Sequence, residues 1–418
     1  MSGAANTWGN PAGSIGTLNG FFKESYADKL AELIPDGVKL LNKISFMSKD
    51  KQPGNLYHQP VILGMEHGVT FAGSDEDAFN LAAPVAGQVK DAQVKGNPIV
   101  MRSLLGYVAA SRAALGGQKA FMDATKFLVA NMLRSMAKKL EIEVLYGQMG
   151  YAVVGTVAGS TITIVTGEWA PGIWAGAEGM PIEIRDATGA VSRGNFVVSS
   201  VDMTLRTVTL TSNAATAGVL ATDVIYHAGA YGNEFPGIHK ILTISSGTLF
   251  NISVSTYNLF RGNQFDAQNA ALSFNKLNLA AARAVEKGQD GTLYCIVNPR
   301  GWANMLNDQA ALRRYDSSYS PAKGEIGSKS IKFHSQNGEL EIEPSIYIKE
   351  GYAFMLSLDD WFRVGSTDLT FKRPGQGEEF FRDLENSAAY ELRLYSDQAI
   401  FTSSPGHNVV INNIVNAT

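Results

Sequence analysis

The sequence predicts an α+β fold on three observations: one unusually long helix between Gly117 and Gly147, about a hundred residues of arm and extended strand before it, and a run of short strands behind it. The helix has the plainest pattern. Residues 118–146 hold neither Pro nor Gly, and Leu128, Met132, Met136, Leu140 and Val144 recur every four residues. Phe121, Val129 and Leu133 widen that stripe. This is the spacing of one buried helical face, so Leu133 and Leu140 are expected to point into a core. At 1.5 Å per residue the helix would be on the order of 40 Å long, well above the usual three turns.

Taken in order, residues 1–54 read as an N-terminal arm. Within it Leu30, Leu33, Ile34, Leu40, Leu41 and Ile44 predict two short amphipathic helices broken at Pro35-Asp36-Gly37. Residues 55–113 read as an extended hairpin: Leu56–Phe71 and Val89–Ala110 are rich in strand formers. The tip between them runs from Gly73-Ser-Asp-Glu-Asp77 to Gly87. A lone hairpin is marginal in water, so it needs another surface, which is expected to come from a neighbouring chain. Residues 114–150 contain the long helix.

The chain then changes character. No lysine occurs between Lys139 and Lys240. Strands are expected at 153–157, 161–165, 181–185, 196–201, 207–211 and 224–227, separated by Gly and Asn turns. Their even spacing is that of a small barrel or sandwich, so residues 151–232 read as an inserted all-β domain able to fold alone. Beyond it, Asp266–Lys287 predicts a helix carrying Leu272, Leu277, Leu279 and Val285 and ending at Gly288. Strand Leu293–Val297 leads through Asn298-Pro-Arg-Gly-Trp302 into a short helix ending near Leu306. Strands are expected at 331–333, 339–343, 346–348 and 352–358, then at 369–371 and 388–401, with a turn at Pro405-Gly406 before the last segment.

The bulk numbers exclude several classes of function. At 418 residues, 45% hydrophobic and 18% charged, the chain suits a globular protein of two or three domains. No apolar run approaches the ~20 residues needed to span a bilayer, and no membrane partner is expected. Residues 1–20 lack the basic start and apolar core of a signal peptide, so the two Asn-x-Ser/Thr triplets at Asn251 and Asn416 are read as chance. The single cysteine, Cys295, lies among strand formers and reads as buried and structural. Net charge is −4, and Arg313-Arg314 is the nearest approach to a basic cluster. Contact with nucleic acid is therefore expected to be loose and non-specific.

No catalytic grouping emerges either. His58, His67, His227, His239, His334 and His407 are scattered, without the spacing of a zinc site. Asp75-Glu76-Asp77 lacks the spaced oxygens of a calcium loop, and Gly375-Gln-Gly377 is not followed by the strand, loop and helix of a phosphate cradle. There is no Gly-x-Ser-x-Gly elbow. Glu141 and Glu143 lie on different sides of the helix and make a poor carboxylate pair. No catalytic, cofactor-binding or metal-binding residue is assigned, no cofactor is called for, and the chain is not expected to be an enzyme.

The order of these parts resembles the major capsid proteins of tailed bacteriophages, with the Hong Kong 97-type fold. The closest local likeness is Tyr294-Cys-Ile-Val-Asn-Pro-Arg-Gly-Trp302 with Leu306 and Arg314-Tyr315 behind it, since members often place Asn-Pro after an axial strand. Gly232-Asn-Glu-Phe-Pro-Gly-Ile238 resembles the Gly-Ile turn that follows the family's spine helix. The resemblance implies an arm at 1–54, an extended hairpin (the E-loop) at 55–113 and a spine helix of the peripheral domain at 114–150. It also implies an axial domain at 233–365 and strands returning to the peripheral sheet at 366–418. The β-block at 151–232 departs from the smallest members. No long helical scaffolding segment precedes the arm, so a separate scaffolding protein or a removed segment is expected.

The function so implied is a self-assembling shell subunit. Hexamers and pentamers would form an icosahedral head enclosing double-stranded DNA, built in the host cytoplasm and located in the virion. Scaffolding, portal and decoration proteins are its expected partners. Lys90 and Lys95 of the hairpin read as solvated rather than as crosslinking groups. Two alternatives stand beside this reading: an encapsulin-like nanocompartment shell around cargo enzymes, and an adhesin or glycan reader whose β-block would stack sugars on Trp169, Trp174 and Tyr226. A hydrolase with a dispersed site ranks last.

Overall fold

The computed structural model describes residues 37–47, 56–75, 79–106, 118–306, 331–334, 338–372, 382–384 and 387–416. The predicted helices before Gly37, the side chain of Phe121, Arg313-Arg314 and Gly375-Gln-Gly377 lie outside the described residues. Two compact units divide the chain: residues 1–36, 98–139 and 367–397 form one, and residues 37–97, 140–366 and 398–418 form the other.

In the larger unit the first element is helix α1, Leu40–Lys43. So short a helix leaves most of its N–H groups without an internal acceptor. The Glu141 carboxylate supplies one, accepting the N–H of Lys39, Leu40 and Leu41 at 3.1, 3.0 and 2.8 Å. The next residues pair with a later strand: Arg363 donates its N–H to Ser45 O and accepts the Met47 N–H, each at 2.9 Å. Strand β1, Tyr57–Gly64, then runs antiparallel to β2, Gln88–Val94, with Tyr57 opposite Val94 and Ile62 opposite Val89.

The second arm of the expected hairpin is two strands, not one. After Lys95-Gly96 the chain enters β3, Asn97–Gly106, which pairs with a strand near the C-terminus instead of with β1. The glycine and Pro98, which has no N–H to donate, end the first ladder there.

Helix α2 runs from Gln118 to Tyr146 over 29 residues, its part up to Lys139 in the smaller unit. Met132, Met136, Leu140 and Val144 are buried as the stripe requires. Leu133 is not: it is 37% exposed, against 0% for Leu140. Seven residues place the two almost in line on a helix wheel, so periodicity could not separate them. From Leu140 to Tyr146 every residue of α2 is buried, whatever its face, while the turn around Leu133 keeps exposed positions. Burial here follows what surrounds each turn.

Strands β4 (Ala152–Ala158), β5 (Thr161–Ile164), β6 (Pro181–Arg185), β7 (Ser192–Asp202), β8 (Thr207–Leu210) and β9 (Val224–His227) close a barrel in the order β4-β5-β8-β7-β6-β9. Alternate residues such as Val154, Ile162, Ile164, Ile182, Ile184, Val208 and Leu210 fill its inside. A four-residue helix α3, Pro171–Trp174, lies between β5 and β6.

Past the barrel come helix α4 (Ile238–Thr243), the short pair β10 (Thr248–Leu249) and β11 (Ile252–Ser253), strand β12 (Asn263–Ala270) and helix α5 (Phe274–Val285). The expected helix over 266–287 is therefore strand in its first part. Helix begins only after Ser273, whose side chain accepts the Lys276 N–H and caps it. Leu272 and Leu277 are buried but Leu279 is largely exposed. Then follow β13 (Leu293–Val297), α6 (Pro299–Leu306), β14 (Ile331–His334), β15 (Glu339–Pro344) and β16 (Ala353–Leu356). The expected strand at 346–348 is a turn, closed by the Ile348 N–H on Ser345 O. The last strands are β17 (Trp361–Thr370), β18 (Arg382–Leu384), β19 (Ser387–Thr402) and β20 (Val409–Ile414).

Six of these strands form a mixed sheet in the order β12-β20-β16-β13-β15-β14. Its core joins Leu277, Ala281 and Ala284 of α5 to Leu293, Cys295 and Val297 of β13, and burial pushes the Cys295 thiol up, well out of the nucleophilic range. A four-stranded sheet has the order β17-β19-β18, with β3 also paired to β19.

Candidate assembly surface

The β1/β2 ribbon is fastened at its root by aromatic packing. Tyr57 meets Phe362 and Phe401 edge-on at 5.9 and 6.0 Å, and Phe250 lies 5.0 Å from Phe401. Two hydrogen bonds hold β2 against the β10/β11 segment: Gln93 N–H to Phe250 O at 3.0 Å and Tyr257 O–H to Gln88 Oε1 at 2.6 Å. Gln88 is the far end of the ladder, so the ladder is tied to its own chain near both ends. The expectation of a hairpin without an internal partner is corrected to that extent.

Beyond the ladder the described residues form a loop rather than strand. Residues 65–75 and 79–87 are joined by the His67 N–H on Val85 O (3.1 Å) and the Ala82 N–H on Thr70 Oγ1 (2.7 Å). Their apolar side chains stand in water. Phe71 is 92% exposed, Leu81 81% and Met65 78%, and Val69, Phe79 and Val85 are exposed beside them; Ile62 and Val89 extend the row onto the ladder. Burying one such side chain fully is worth about 1.5–3 kcal/mol. So many large apolar side chains exposed along one loop mark an interaction site. Lys90, on the ladder beside Val89, and Lys95, past its root, are both exposed, and His58 Nδ1 lies 2.6 Å from Asp91 Oδ2, which with Gln93 holds the Asp91 carboxyl below its ordinary range.

The residues weighed for chemistry fall elsewhere. Trp169, Trp174 and Tyr226, the expected sugar-stacking faces, are all buried, and the two indoles stack on each other with centroids 6.1 Å apart. The glycan reading loses its platform: an indole packed inside cannot meet a sugar. Among the described residues no group of three or more His, Cys, Asp and Glu could hold a metal ion, and no helix is long and apolar enough to cross a membrane. Of the acidic tip, Asp75 is exposed, while Glu76 and Asp77 lie outside the described residues.

Two buried polar groupings escaped the sequence reading. In the first, Lys349 Nζ meets Glu168 Oε2 at 2.6 Å, donates to Gly150 O at 3.2 Å and sits 4.4 Å over the Tyr146 ring, while Tyr352 O–H donates to Glu168 Oε1 at 2.8 Å. Burial pushes the Glu168 carboxyl up, but Lys349 and Tyr352 outweigh it and the group ends below its ordinary value. His239 packs edge-on to Tyr352 at 4.8 Å, and burial beside Lys349 holds its imidazole down, at about 4. In the second grouping Glu143 and Glu234 are both buried. Burial, then the Glu234 charge, pushes the Glu143 carboxyl up to about 8. Glu141, two residues earlier, is also raised by burial, against the pull of the three N–H groups of α1.

No protein-family model and no curated protein matches the chain. Solved structures do. A chain of the cyanophage A-1(L) capsid asymmetric unit matches with a TM-score of 0.54 at 11% identity, covering 95% of this chain and 98% of that one. Weaker likenesses are a chain of the native GTA particle capsid (TM-score 0.49, 8% identity, 99% and 100% covered) and the SrpI encapsulin of Synechococcus elongatus PCC 7942 (0.44, 7%, 96% and 95%). The first likeness shows the fold: this is a mixed α and β chain built as a phage capsid protein is built, and the resemblance read from the order of its parts is borne out.

Proposed function

We propose that this chain is the major capsid protein of a tailed bacteriophage, a structural subunit without catalytic activity. In this reading its fold is of the Hong Kong 97 type, with residues 1–54 as arm, 55–113 as E-loop and 114–150 as spine helix. Residues 151–232 are an inserted β-domain, 233–365 the axial domain and 366–418 strands of the peripheral domain. Subunits join as hexamers and pentamers in an icosahedral head. The observation that carries the reading is the row of exposed apolar side chains at Met65, Val69, Phe71, Phe79, Leu81 and Val85, on a chain of capsid-protein fold. Laid across a neighbouring subunit, it loses its exposure to water, and that burial contributes to assembly. Such contacts are heterologous and close into a shell only at the right curvature. With a net charge of −4, the packaged double-stranded DNA is touched loosely rather than gripped. Scaffolding, portal and decoration proteins complete the virion.

The test is to replace residues 66–86 by a short Gly-Ser link. The truncated chain should stay soluble with near-normal helical circular dichroism and elute as a monomer or small ring, whereas the full chain forms megadalton particles. Shells from the truncated chain would remove the loop from the assembly mechanism. Nuclease-protected DNA inside particles supports the phage reading; an enzyme cargo would replace it with a nanocompartment.

A further inference from the structure

The chain enters the barrel after Tyr146 and leaves it before Ile238, and these two passes cross-brace each other. Gly237 N–H donates to Gly147 O at 3.0 Å, and a Cβ on Gly147 would run into Phe235 O, so the backbones are in direct contact. Two carboxyls complete the crossing in opposite directions. Glu143, on the incoming helix, accepts the N–H of Phe235 on the outgoing pass at 3.4 Å. Glu234, on the outgoing pass, accepts the N–H of Gln148 on the incoming one at 2.9 Å, and the Gln148 amide returns a bond of 2.9 Å to Glu234 O. Both acids are over nine-tenths buried, at 6% and 8% exposure.

We propose that this neck is a proton-controlled clasp: it is closed while Glu143 carries a proton beside Glu234, and it opens when that proton leaves. With both carboxyls charged in this buried site they repel, and burial itself disfavours the ionised Glu143. Tyr151 also faces the pair, itself buried and raised by burial and by both carboxylates. Tyr226 feels Glu234 as well. His227 packs against Tyr151, with ring centroids 6.4 Å apart.

The sign follows from linkage. With Glu143 raised from 4.5 to about 8 in the closed neck, the closed form holds one more proton than the opened, hydrated form between those values. Closure is at full strength below about pH 4.5 and weakens by roughly tenfold per pH unit up to about 8, where the trend levels off. The inference does not depend on the capsid reading, since it concerns the fold of the single chain.

Hydrogen exchange of the full-length chain at the Gly147, Gln148, Phe235 and Gly237 amides tests it, from pH 5 to 9.5 and corrected for intrinsic rates. The wild-type opening constant should rise about a hundredfold between pH 5.5 and 7.5 and stay flat above 8.5. In Glu143→Gln the profile should be flat throughout, with His227 still in place. A wild-type profile without slope overturns the proposal even if Glu143→Gln fails to fold. A slope that persists in Glu143→Gln assigns the proton to His227 and overturns it too.

Discussion

Replacing Lys349 by Met removes one partner of the buried ion pair that ties the β5–β6 connection of the barrel to the turn after β15. The Lys349 side chain is 3% exposed and that of Glu168 15%, with 2.6 Å between Nζ and Oε2. The cost is set less by the lost attraction than by the carboxylate left behind in a dry site, and removal of one member of such a pair costs about 3–5 kcal/mol. Around the pair lie backbone bonds that would share the strain: Gly172 N–H to Ile346 O at 2.9 Å, Glu350 N–H to Trp169 O at 3.0 Å and Gly351 N–H to Gly167 O at 2.8 Å. The Arg206–Glu350 pair at 3.0 Å adds a second tie. Urea unfolding followed by tryptophan emission reads the effect, because stacked Trp169 and Trp174 adjoin Glu168. Lys349→Met should lower stability by ~3–5 kcal/mol, and adding Glu168→Gln should restore part of the loss by removing the stranded charge. A loss below ~1 kcal/mol, the range of exposed pairs, would refute the reasoning. So would a double variant less stable than Lys349→Met alone.

Other substitutions test the long helix and the arm. Leu140→Ala should cost about 2–5 kcal/mol, while Leu133→Ala, partly in water already, should cost under ~1 kcal/mol in the same unfolding assay. Glu141→Ala leaves three N–H groups of α1 without their acceptor and should cost about 1–3 kcal/mol. Its direct readout is faster trypsin cleavage after Lys39 and Lys43, and unchanged cleavage would show that α1 stands without the carboxylate.

The elements most legible in the sequence were those whose pattern is local. Helix α2 lies within a residue of each expected end, because nothing between Gly117 and Gly147 interrupts it. All six barrel strands are present where alternating apolar residues and Gly or Asn turns placed them. Elements that depend on partners distant in the chain leave no such local pattern. Strand β12 is polar and irregular, with Gln268 and Asn269 at φ 58° and 52°, and is a strand only because Val409–Ile411 pairs with it in parallel. The split between β2 and β3 shows only when each finds its own sheet. Leu133 and Leu279 carry the periodicity of buried positions without the burial, since a wheel says nothing about what covers a given turn. The acids were hardest to see. Glu141 and Glu143 do point apart, and for that reason one clasps α1 and the other clasps the barrel's neck. Their partners, Leu40 and Phe235, lie about a hundred and about ninety residues away.

Electron microscopy of the purified full-length chain tests the central claim most directly, alone and co-expressed with the proteins encoded beside it. A capsid subunit should give closed, uniform, roughly isometric shells with hexameric and pentameric units on their surface. A chain that remains monomeric in both preparations, with residues 65–87 still exposed to solvent labelling, would contradict it.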